Sequence, residues 1–381
     1  MLPRRSFLGV EIDGTDISET LADSILNFTY TDRASGESDS INLTVADRDK
    51  KFIDDWYPEN GLAFKAIIKT ENWNEDGDSD GLDTGIFKID SCVLTGPPDK
   101  FSIKAVSIPV TSSLKRQEKT NTWEEATLQE IAQTIAGNAG IEMMYEVESD
   151  IQLDRVDQLQ RTDMSFLMDL CTKYGVSLKV TNERMVLFEE SVYEKKAPVD
   201  TFDKSEVGNR IIGYTFAQDI NDMVSKVELF YKDPKSGMIA VGEFTPPVPP
   251  ATGQKLVLNE RPGDLRGDNF RNGIDNGSGS AGGTFDTGMH PFNDIKIDFN
   301  RPRVDVTDNA NRICRARCRQ RNKNEWTCML KMLGNVKMVG GVTIEITNWG
   351  KYSGKYMVNV ATHRTGEGYE TTVRGHRVLG Y

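Results

Sequence analysis

The end of the chain alternates between hydrophobic and polar positions, as half-buried β-strands do. Val342, Ile344 and Ile346 alternate with polar residues before a Gly-Lys-Tyr-Ser-Gly turn. Tyr356 then resumes the period of two, and residues 371–374 form a further strand. The pattern predicts a meander without a covering helix, and therefore a barrel or an open sheet edge that another strand must close.

A similar alternation occupies the first third of the chain. Ile41, Leu43 and Val45 alternate with polar residues, and strands are predicted over 63–69 and 85–94. This part of the chain therefore forms a first β block.

The middle of the chain follows a helical period instead. Thr127 and Glu130 fit a capping box that begins a helix, and Gly137 is expected to end it. A second helix is predicted from about Thr162, with Gly175 as its end. A hairpin over 176–188 follows, so this part is a small α/β module.

The order of these blocks predicts an α+β, mainly β fold. Residues 1–110 form the first β domain, residues 111–195 the α/β module, and residues 196–381 the second β domain. A chain of 381 residues is long enough for two or three domains with cores of their own.

A Gly/Pro-rich insert, residues 245–300, interrupts the second β domain. It begins Thr-Pro-Pro-Val-Pro-Pro and contains Asn-Gly-Ser-Gly-Ser-Ala-Gly-Gly, with few apolar residues between. Strands are predicted before it, over 219–231 and 240–244, and after it, over 326–333. A loop of this length and composition is either disordered or ordered by a partner.

Composition and charge narrow the classes of function. The formal net charge is −12, which disfavours binding of nucleic acid phosphates over the whole surface and sequence-specific DNA binding. No apolar run approaches the roughly 18 residues of a membrane helix, so no membrane insertion is expected. The acidic balance suits a surface along which nucleic acid passes without sticking, although solubility explains the charge equally well.

The N-terminal residues and the cysteines bear on whether the protein is exported. Arg4-Arg5-Ser6-Phe7-Leu8 imitates a twin-arginine signal, but acidic residues follow at once where an apolar region is required. The five cysteines are odd in number and irregularly spaced. Synthesis in a reducing cytoplasm is therefore expected.

Two Asp-Thr-Gly triplets raise the alternative of an aspartic protease. They begin at Asp83 and Asp286, in a chain with two β-rich halves, and such enzymes activate a water between two carboxylates that share a proton. The surroundings argue against it, since Asp83 follows an acidic loop and Asp286 lies in the Gly-rich insert. Ile86 and Met289 also stand where proteases carry small residues.

The acidic loop itself resembles the first half of a calcium-binding loop. Asp76, Asp78 and Asp80 have the required spacing, but Phe87 stands where a bidentate carboxylate is needed. A solvated hairpin tip is the favoured interpretation, and a weak calcium site is the alternative.

A run of six cations between Arg312 and Lys323 has helical spacing. Arg312, Arg315, Arg319 and Lys323 share one face of the predicted helix. A solvated or acid-paired face is favoured over a phosphate site, because no aromatic residues interleave with the charges.

Metal and catalytic motifs are not recognisable. Cys314, Cys318 and Cys328 lack a fourth zinc ligand at a known spacing, and packing as small hydrophobic groups is expected. Three histidines and the lack of nucleophile, phosphate-loop and dinucleotide motifs predict no catalytic residues, no metal and no cofactor.

Short segments in a characteristic order and spacing occur throughout the chain and cover nearly everything outside the insert. They are 14–18, 38–39, 41–45, 56–58, 85–90, 96–98, 127–132, 160–163, 166–167, 174–175, 231–234, 354–356, His363 and 368–369. In their order and spacing these segments resemble the late control D family, the baseplate hub proteins of contractile phage tails and tail-like particles.

The resemblance implies two tube-like antiparallel β-barrels joined through the small module, and a homotrimeric ring. Such a ring adapts a six-fold tail tube to a three-fold spike and seeds tube assembly, without an enzymatic activity. The implied partners are the tail tube or a tube-initiator protein, the central spike, the tape-measure protein and baseplate wedge proteins. Assembly in the cytoplasm of a bacterial host is implied, in a phage or a tail-like bacteriocin.

Two alternatives from other classes remain. One is the aspartic protease with Asp83 and Asp286. The other is a cell-wall-binding module built on residues 111–195. The insert is expected to dock a spike, wedge or tape-measure partner, and a dispensable loop is the competing interpretation.

Overall fold

The fold is known from a computed structural model. It describes residues 2–54, 56–107, 113–181, 183–232, 239–248, 254–259, 295–298 and 307–381. The first β block contains seven strands and one short helix: β1 (Arg5–Ile12), β2 (Thr15–Asp16), α1 (Ser18–Leu21), β3 (Ile25–Arg33), β4 (Ser40–Ala46), β5 (Ala63–Glu71), β6 (Ser79–Thr95) and β7 (Lys100–Val106).

The middle of the chain alternates between helices and strands. Its elements are α2 (Ser113–Arg116), β8 (Glu118–Thr127), α3 (Leu128–Ala139), β9 (Glu142–Glu146), β10 (Gln152–Thr162), α4 (Asp163–Tyr174), β11 (Ser177–Val180), β12 (Arg184–Phe188) and α5 (Glu190–Lys195).

The remainder is again mainly β, with one long helix. Its elements are β13 (Asp200–Asp203), β14 (Ile211–Gln218), β15 (Val224–Lys232), β16 (Ile239–Phe244), β17 (Gln254–Asn259), β18 (Ile295–Asp298), α6 (Thr307–Asn322), β19 (Trp326–Leu333), β20 (Thr343–Thr347), β21 (Gly354–Thr365) and β22 (Glu370–Arg377).

Strands from both ends of the chain form one sheet of 13 strands. Its main path runs β14-β19-β22-β21-β3-β4-β7-β6-β5-β1-β2, and β13 and β20 branch from it beside β21. All neighbours on the main path are antiparallel, whereas β13 and β20 are parallel. The predicted α+β, mainly β fold with large antiparallel sheets is therefore confirmed.

The sequence-based element predictions succeed where the signal is local. The capping box at Thr127 and Glu130 is present, and Gly175 ends α4 with a φ of 74°. The expected end of α3 at Gly137 is wrong. The helix continues to Ala139, because Gly140 supplies the left-handed cap whose N–H bonds back to the last turn.

The strand predicted over 219–231 is also wrong in its first part. The backbone turns between Gln218 and Val224, where the Asp219 carboxylate accepts the N–H of Asn221. Only the part from Val224 onward is a strand. Asx-type turns of this kind interrupt an otherwise apolar pattern.

Three buried clusters form the core. The first fills the β block of residues 10–105, and a second fills the sheet formed by β13, β14 and β19–β22. The third holds the middle module together with residues from β15, β17 and α6, among them Val227, Leu256 and Ile313. These parts of β15, β17 and α6 thus pack on the module, and the domain boundaries at 110 and 195 stay a prediction.

Candidate assembly interfaces

The two β blocks meet edge to edge at one pair of strands, the β3–β21 seam. Residues 28–33 of β3 lie opposite residues 360–365 of β21 in antiparallel register. The Tyr30 and His363 rings stack across this seam with centroids 5.8 Å apart, and Tyr369 stacks on the other face of His363 at 6.0 Å. The blocks are therefore joined both by backbone hydrogen bonds and by a buried aromatic stack.

Hydrogen bonds fix the protonation of His363. Its Nε2 lies 2.7 Å from the carbonyl oxygen of Met338, which can only accept, so Nε2 carries the proton. Nδ1 then accepts from the Tyr369 hydroxyl at 2.9 Å. Burial lowers the pKa of His363 to about 4, so the ring is neutral at pH 7.

The acidic loop between β5 and β6 is a second joint between the blocks. The Asp78 carboxylate accepts the backbone N–H groups of Trp73, Asn74 and Glu75, which lower the pKa of Asp78. Trp73 then donates its indole N–H to the Gly334 carbonyl and packs on Tyr369. The hairpin-tip interpretation is confirmed, and the loop connects the first block to residue 334 of the second.

The same loop bears on the calcium alternative. Asp78 uses its carboxylate oxygens to accept N–H groups, and Asp76 accepts the N–H of Leu2. Within the described residues no cluster of three His, Cys, Asp or Glu side chains could hold a metal ion. The loop geometry fits an organised turn rather than a set of converging metal ligands.

Strand β14 is one open end of the sheet. Its only strand neighbour in the described part of the chain is β19. Tyr214 lies opposite Leu330, which is fully buried, so both side chains are on the core face of the sheet. Tyr214 is nevertheless 44% exposed. The core face is uncovered here because no further strand of the described chain lies beside β14.

An aromatic cluster borders this open edge. Tyr214 and Phe216 both contact Trp349, and Phe216 also stacks on Tyr352. A strand from a partner could hydrogen-bond to the open edge of β14 and at the same time bury these partly exposed aromatic side chains.

Strand β1 is the other open end. Thr15–Asp16 pairs with its last two residues, and Ile17 and Ser18 hydrogen-bond to the backbone of Val10. Within the described chain the outer side of residues 5–9 has no strand neighbour. Phe7 lies in this stretch and is 46% exposed.

The basic helix predicted near residue 312 is confirmed as α6, and its face is paired with acids. Arg312 pairs with Glu189, Arg319 with Glu194 at 2.6 Å, and Lys323 with Glu190 at 3.3 Å. The acids belong to α5 and the residue before it, so α5 and α6 are held together by these pairs.

A buried histidine extends this ion-pair face to the second β block. His376 of β22 lies with Nε2 3.6 Å from Glu194 and with Nδ1 2.7 Å from the Asn359 side chain. The acid-paired interpretation is therefore confirmed over the phosphate site for these three cations, and the face is a joint within the molecule.

The geometry around Asp83 does not resemble a protease site. The Asp83 carboxylate is half exposed, lies 2.9 Å from the Lys65 ammonium and accepts the N–H of Gly85. This carboxylate is paired with an ammonium group, whereas an aspartic protease places two carboxylates together so that they share a proton. Asp286 lies outside the described residues, as does most of the insert 245–300.

The cysteines behave as small hydrophobic groups. All five are free, and Cys314, Cys318 and Cys328 are buried, which raises the pKa of each thiol to about 11 or 12.

No helix in the described part of the chain has the length and apolar character needed to cross a lipid bilayer.

Sequence reasoning missed the joints between blocks. Tyr30, Trp73 and Gly334 carried no local signal, because each is defined by a partner far away in the chain. His363 and Tyr369 were noted only as part of the family resemblance. The adjacent acids Glu189 and Glu190 are the signal that could have suggested ion-pair partners for α6.

The sequence was compared with protein families and with known proteins. No family model matches the chain. The probable baseplate hub protein of Escherichia phage P2 is 24% identical over 200 residues, which cover 51% of this chain. The match spans about half of the relative, 49% of its length.

Solved structures match over nearly the whole chain. A tail protein from Neisseria meningitidis superposes with a TM-score of 0.66 at 10% identity, covering 98% of both chains. The 43 kDa tail protein of prophage MuSo2 from Shewanella oneidensis gives 0.64 at 12% identity over 99% of both. A type VI secretion component of Escherichia coli gives 0.54 at 10% identity, covering 98% of this chain and 78% of its own.

At these identities the structures show the fold alone, and the fold is that of phage tail and type VI secretion proteins. The sequence match is to a probable baseplate hub protein. The resemblance of this chain to the baseplate hub family is thereby confirmed.

Proposed function

We propose that this chain is the structural hub of a contractile-tail baseplate and forms a homotrimeric ring. The observation that carries the proposal is the sheet with two different open ends, β1 and β14. A contact between two different edges is head-to-tail, and such contacts generate closed rings when the rotation closes. In the ring, β14 of one protomer meets β1 of the next, and no long sheet edge stays exposed.

The pairing of the two β blocks within one chain sets the symmetry of the ring. The β3–β21 seam already joins two strand-rich halves edge to edge in the same sheet. Three chains with two similar halves each present six similar faces. The trimer can then contact a six-fold tube on one side and a three-fold spike on the other.

The partners follow from this role. One face of the ring binds the tail tube or a tube-initiator protein and seeds tube assembly, and the other binds the central spike. The tape-measure protein passes or ends at the lumen, and wedge proteins bind outside. The hub is assembled in the cytoplasm of the bacterial host and becomes part of the particle's baseplate.

The hub has no chemistry of its own in this proposal. Support comes from the paired and half-exposed Asp83 and from the phage-tail relatives. The cell-wall-binding alternative for residues 111–195 stays a prediction, tested by peptidoglycan binding of the full chain.

Electron microscopy of the purified chain tests the proposal. Three-fold rings with a central opening are expected, and these rings should shorten the lag of tube polymerisation by the particle's own tube protein. Particles without three-fold symmetry, or rings that leave the lag unchanged, would contradict the ring or the seeding role respectively.

The insert 245–300 is proposed to dock a spike, wedge or tape-measure partner. Deletion of residues 260–283, which spares β17 and its buried Leu256, should leave the trimer intact and abolish incorporation of one of these partners. Normal particles from the deletion variant would show that the insert is dispensable.

A further inference from the structure

One lysine joins two carboxylates at the place where the three parts of the molecule meet. Lys179 of β11 in the module forms ion pairs with Asp32 of β3 and, at 3.3 Å, with Asp39 just before β4. The two carboxylate side chains are only 5% and 6% exposed. We call these three residues the junction triad.

The triad also reaches the second β block. The other oxygen of Asp32 accepts the backbone N–H of Gly340 at 2.9 Å. A Cβ at Gly340 would lie 2.4 Å from the backbone nitrogen of Ala34, so the two backbones are in direct contact there. Asp39 in turn accepts the N–H of Arg33 at 2.8 Å. The first block, the module and the loop near residue 340 therefore share one buried ion-pair site.

The charges of the triad do not balance. Two carboxylates face one ammonium, and in the described chain no second cation forms an ion pair with either acid. Arg33 directs its guanidinium to Glu37, and Lys115 donates to the Ser38 hydroxyl. In the described chain, the charged and titratable groups around Asp32 and Asp39 are Lys179, Arg33, Glu37, Lys115, Tyr30 and His363.

An excess negative charge in a buried site favours binding of a proton. Burial raises the pKa of Asp39 to about 6, and the neighbouring Asp32 acts in the same direction against the lowering by Lys179. The two acids raise the pKa of Lys179 although its burial alone would lower it, so the ammonium stays charged.

We propose that docking of the module on the two β blocks takes up one solvent proton at Asp39, which makes the junction triad a proton-dependent lock. With Asp39 neutral, Lys179 and Asp32 form a balanced pair and the junction is tight. When Asp39 ionises, the unpaired negative charge weakens the contact between β11 and both blocks.

The linkage between proton binding and folding gives the direction in which Asp39 changes stability with pH. The pKa of Asp39 in the folded chain lies above that of a free carboxyl, so the folded state binds more protons between about pH 4 and 6. The contribution of Asp39 to stability is greatest below this range and is lost as the pH rises through it. This is opposite to the usual behaviour of a salt-bridged aspartate.

The test compares the full chain with Asp39→Asn by urea unfolding at pH 4.5 and pH 7.5. Relative to the variant, the wild-type unfolding constant should rise roughly 30-fold between the two pH values, from the linkage of one proton with those two pKa values. Asp23→Asn, at an exposed aspartate of the same block, is the matched control and should follow the wild type.

Hydrogen exchange localises the effect. Peptides that contain Gly340 and Leu178 should lose protection with rising pH in the wild type, after correction for intrinsic exchange, and not in Asp39→Asn. Lys179→Met leaves two buried acids together, so it should destabilise the chain most at pH 7.5 and be rescued by adding Asp39→Asn.

Three results would overturn the proposal. These are identical pH profiles of wild type and Asp39→Asn, failure of Asp39→Asn to fold at either pH, or no rescue in the Lys179→Met/Asp39→Asn double variant. Each would show that Asp39 stabilises the junction as an ordinary charged partner.

Discussion

Tyr30 and His363 lie in ring-to-ring contact across the β3–β21 seam, 333 positions apart in a chain of 381, with ring planes inclined by 20°. Both side chains are buried, and the neutral His363 ring joins Met338 and Tyr369 through its two nitrogens. The seam therefore depends on an uncharged histidine.

The pH dependence of the seam follows from this. Because the pKa of His363 is lowered to about 4, the unfolded chain binds more protons between pH 6.5 and 4. The contribution is complete above pH 6.5 and is lost as the pH falls to about 4, in total about 3 kcal/mol. Relative to His363→Gln, whose amide can still donate to Met338, the wild type should lose this stability between pH 7 and pH 4.5 in urea unfolding; the opposite contribution of Asp39 is common to both and cancels. Equal losses in both would show that His363 does not set the acid limit.

Two substitutions of Trp73 separate the stability contributed by its ring packing from that contributed by its hydrogen bond to the second block. Trp73→Phe keeps a ring on Tyr369 and loses the bond to Gly334, so it should cost about 1 kcal/mol. Trp73→Ala loses both and should cost about 3 kcal/mol. Unfolding curves of the two variants measure the difference, and equal costs would contradict docking by the ring.

The backbone at Gly334 predicts a steric effect of a single methyl group. A Cβ there would lie 1.9 Å from the Tyr369 ring, so Gly334→Ala should cost more than about 2 kcal/mol. The matched control is Gly137→Ala in the interior of α3, where nothing lies within 4 Å of the new methyl. It should stabilise the chain by about 0.5 to 1 kcal/mol. A melting temperature of Gly334→Ala equal to that of the wild type would be inconsistent with this contact.

Breaking a buried ion pair at the α5–α6 joint should cost much more stability than breaking an exposed ion pair elsewhere. Arg319→Met removes the arginine partner of the buried Glu194 side chain, which should cost about 3 to 5 kcal/mol. Arg184→Met breaks an exposed pair with Glu142 and should cost less than about 1 kcal/mol. Similar costs for both variants in chemical denaturation would mean that the α5–α6 pair is not a joint.

Local chemistry explains which parts of the fold were predictable. The capping box at Thr127 and the glycine cap at Gly175 are defined within a few residues, and the alternation of β20 and β21 is visible in one segment. The error at Gly137 is instructive, since a glycine alone does not end a helix. The end falls at Gly140, where the left-handed conformation lets its N–H bond to the last turn.

The joints between blocks could not be predicted in the same way. The β3–β21 register, the parallel pairing of β13 with β20 and the packing of α6 on the module depend on contacts across more than 100 residues. The acidic residues 76–80 were noticed for their spacing. Their role is set by Trp73, whose partner at Gly334 is 261 positions away.

The open ends of the sheet predict which substitutions disrupt the ring. Tyr214→Asp on β14 and Phe7→Asp on β1 place a charge at each proposed contact edge, where both side chains are partly exposed in the protomer. Both variants should fold as the wild type does and fail to form trimers. Val93→Asp, at an equally exposed apolar residue of the β6–β7 hairpin away from either edge, should assemble normally. Trimers from both edge variants would exclude the β14-to-β1 contact.

The mass of the 381-residue chain in solution tests the central claim most directly. Sedimentation velocity from low to high micromolar concentration should show a single species of three times the 42.6 kDa protomer mass. A chain that stays at the protomer mass at every concentration, and also in the presence of its spike protein, would contradict the trimeric hub.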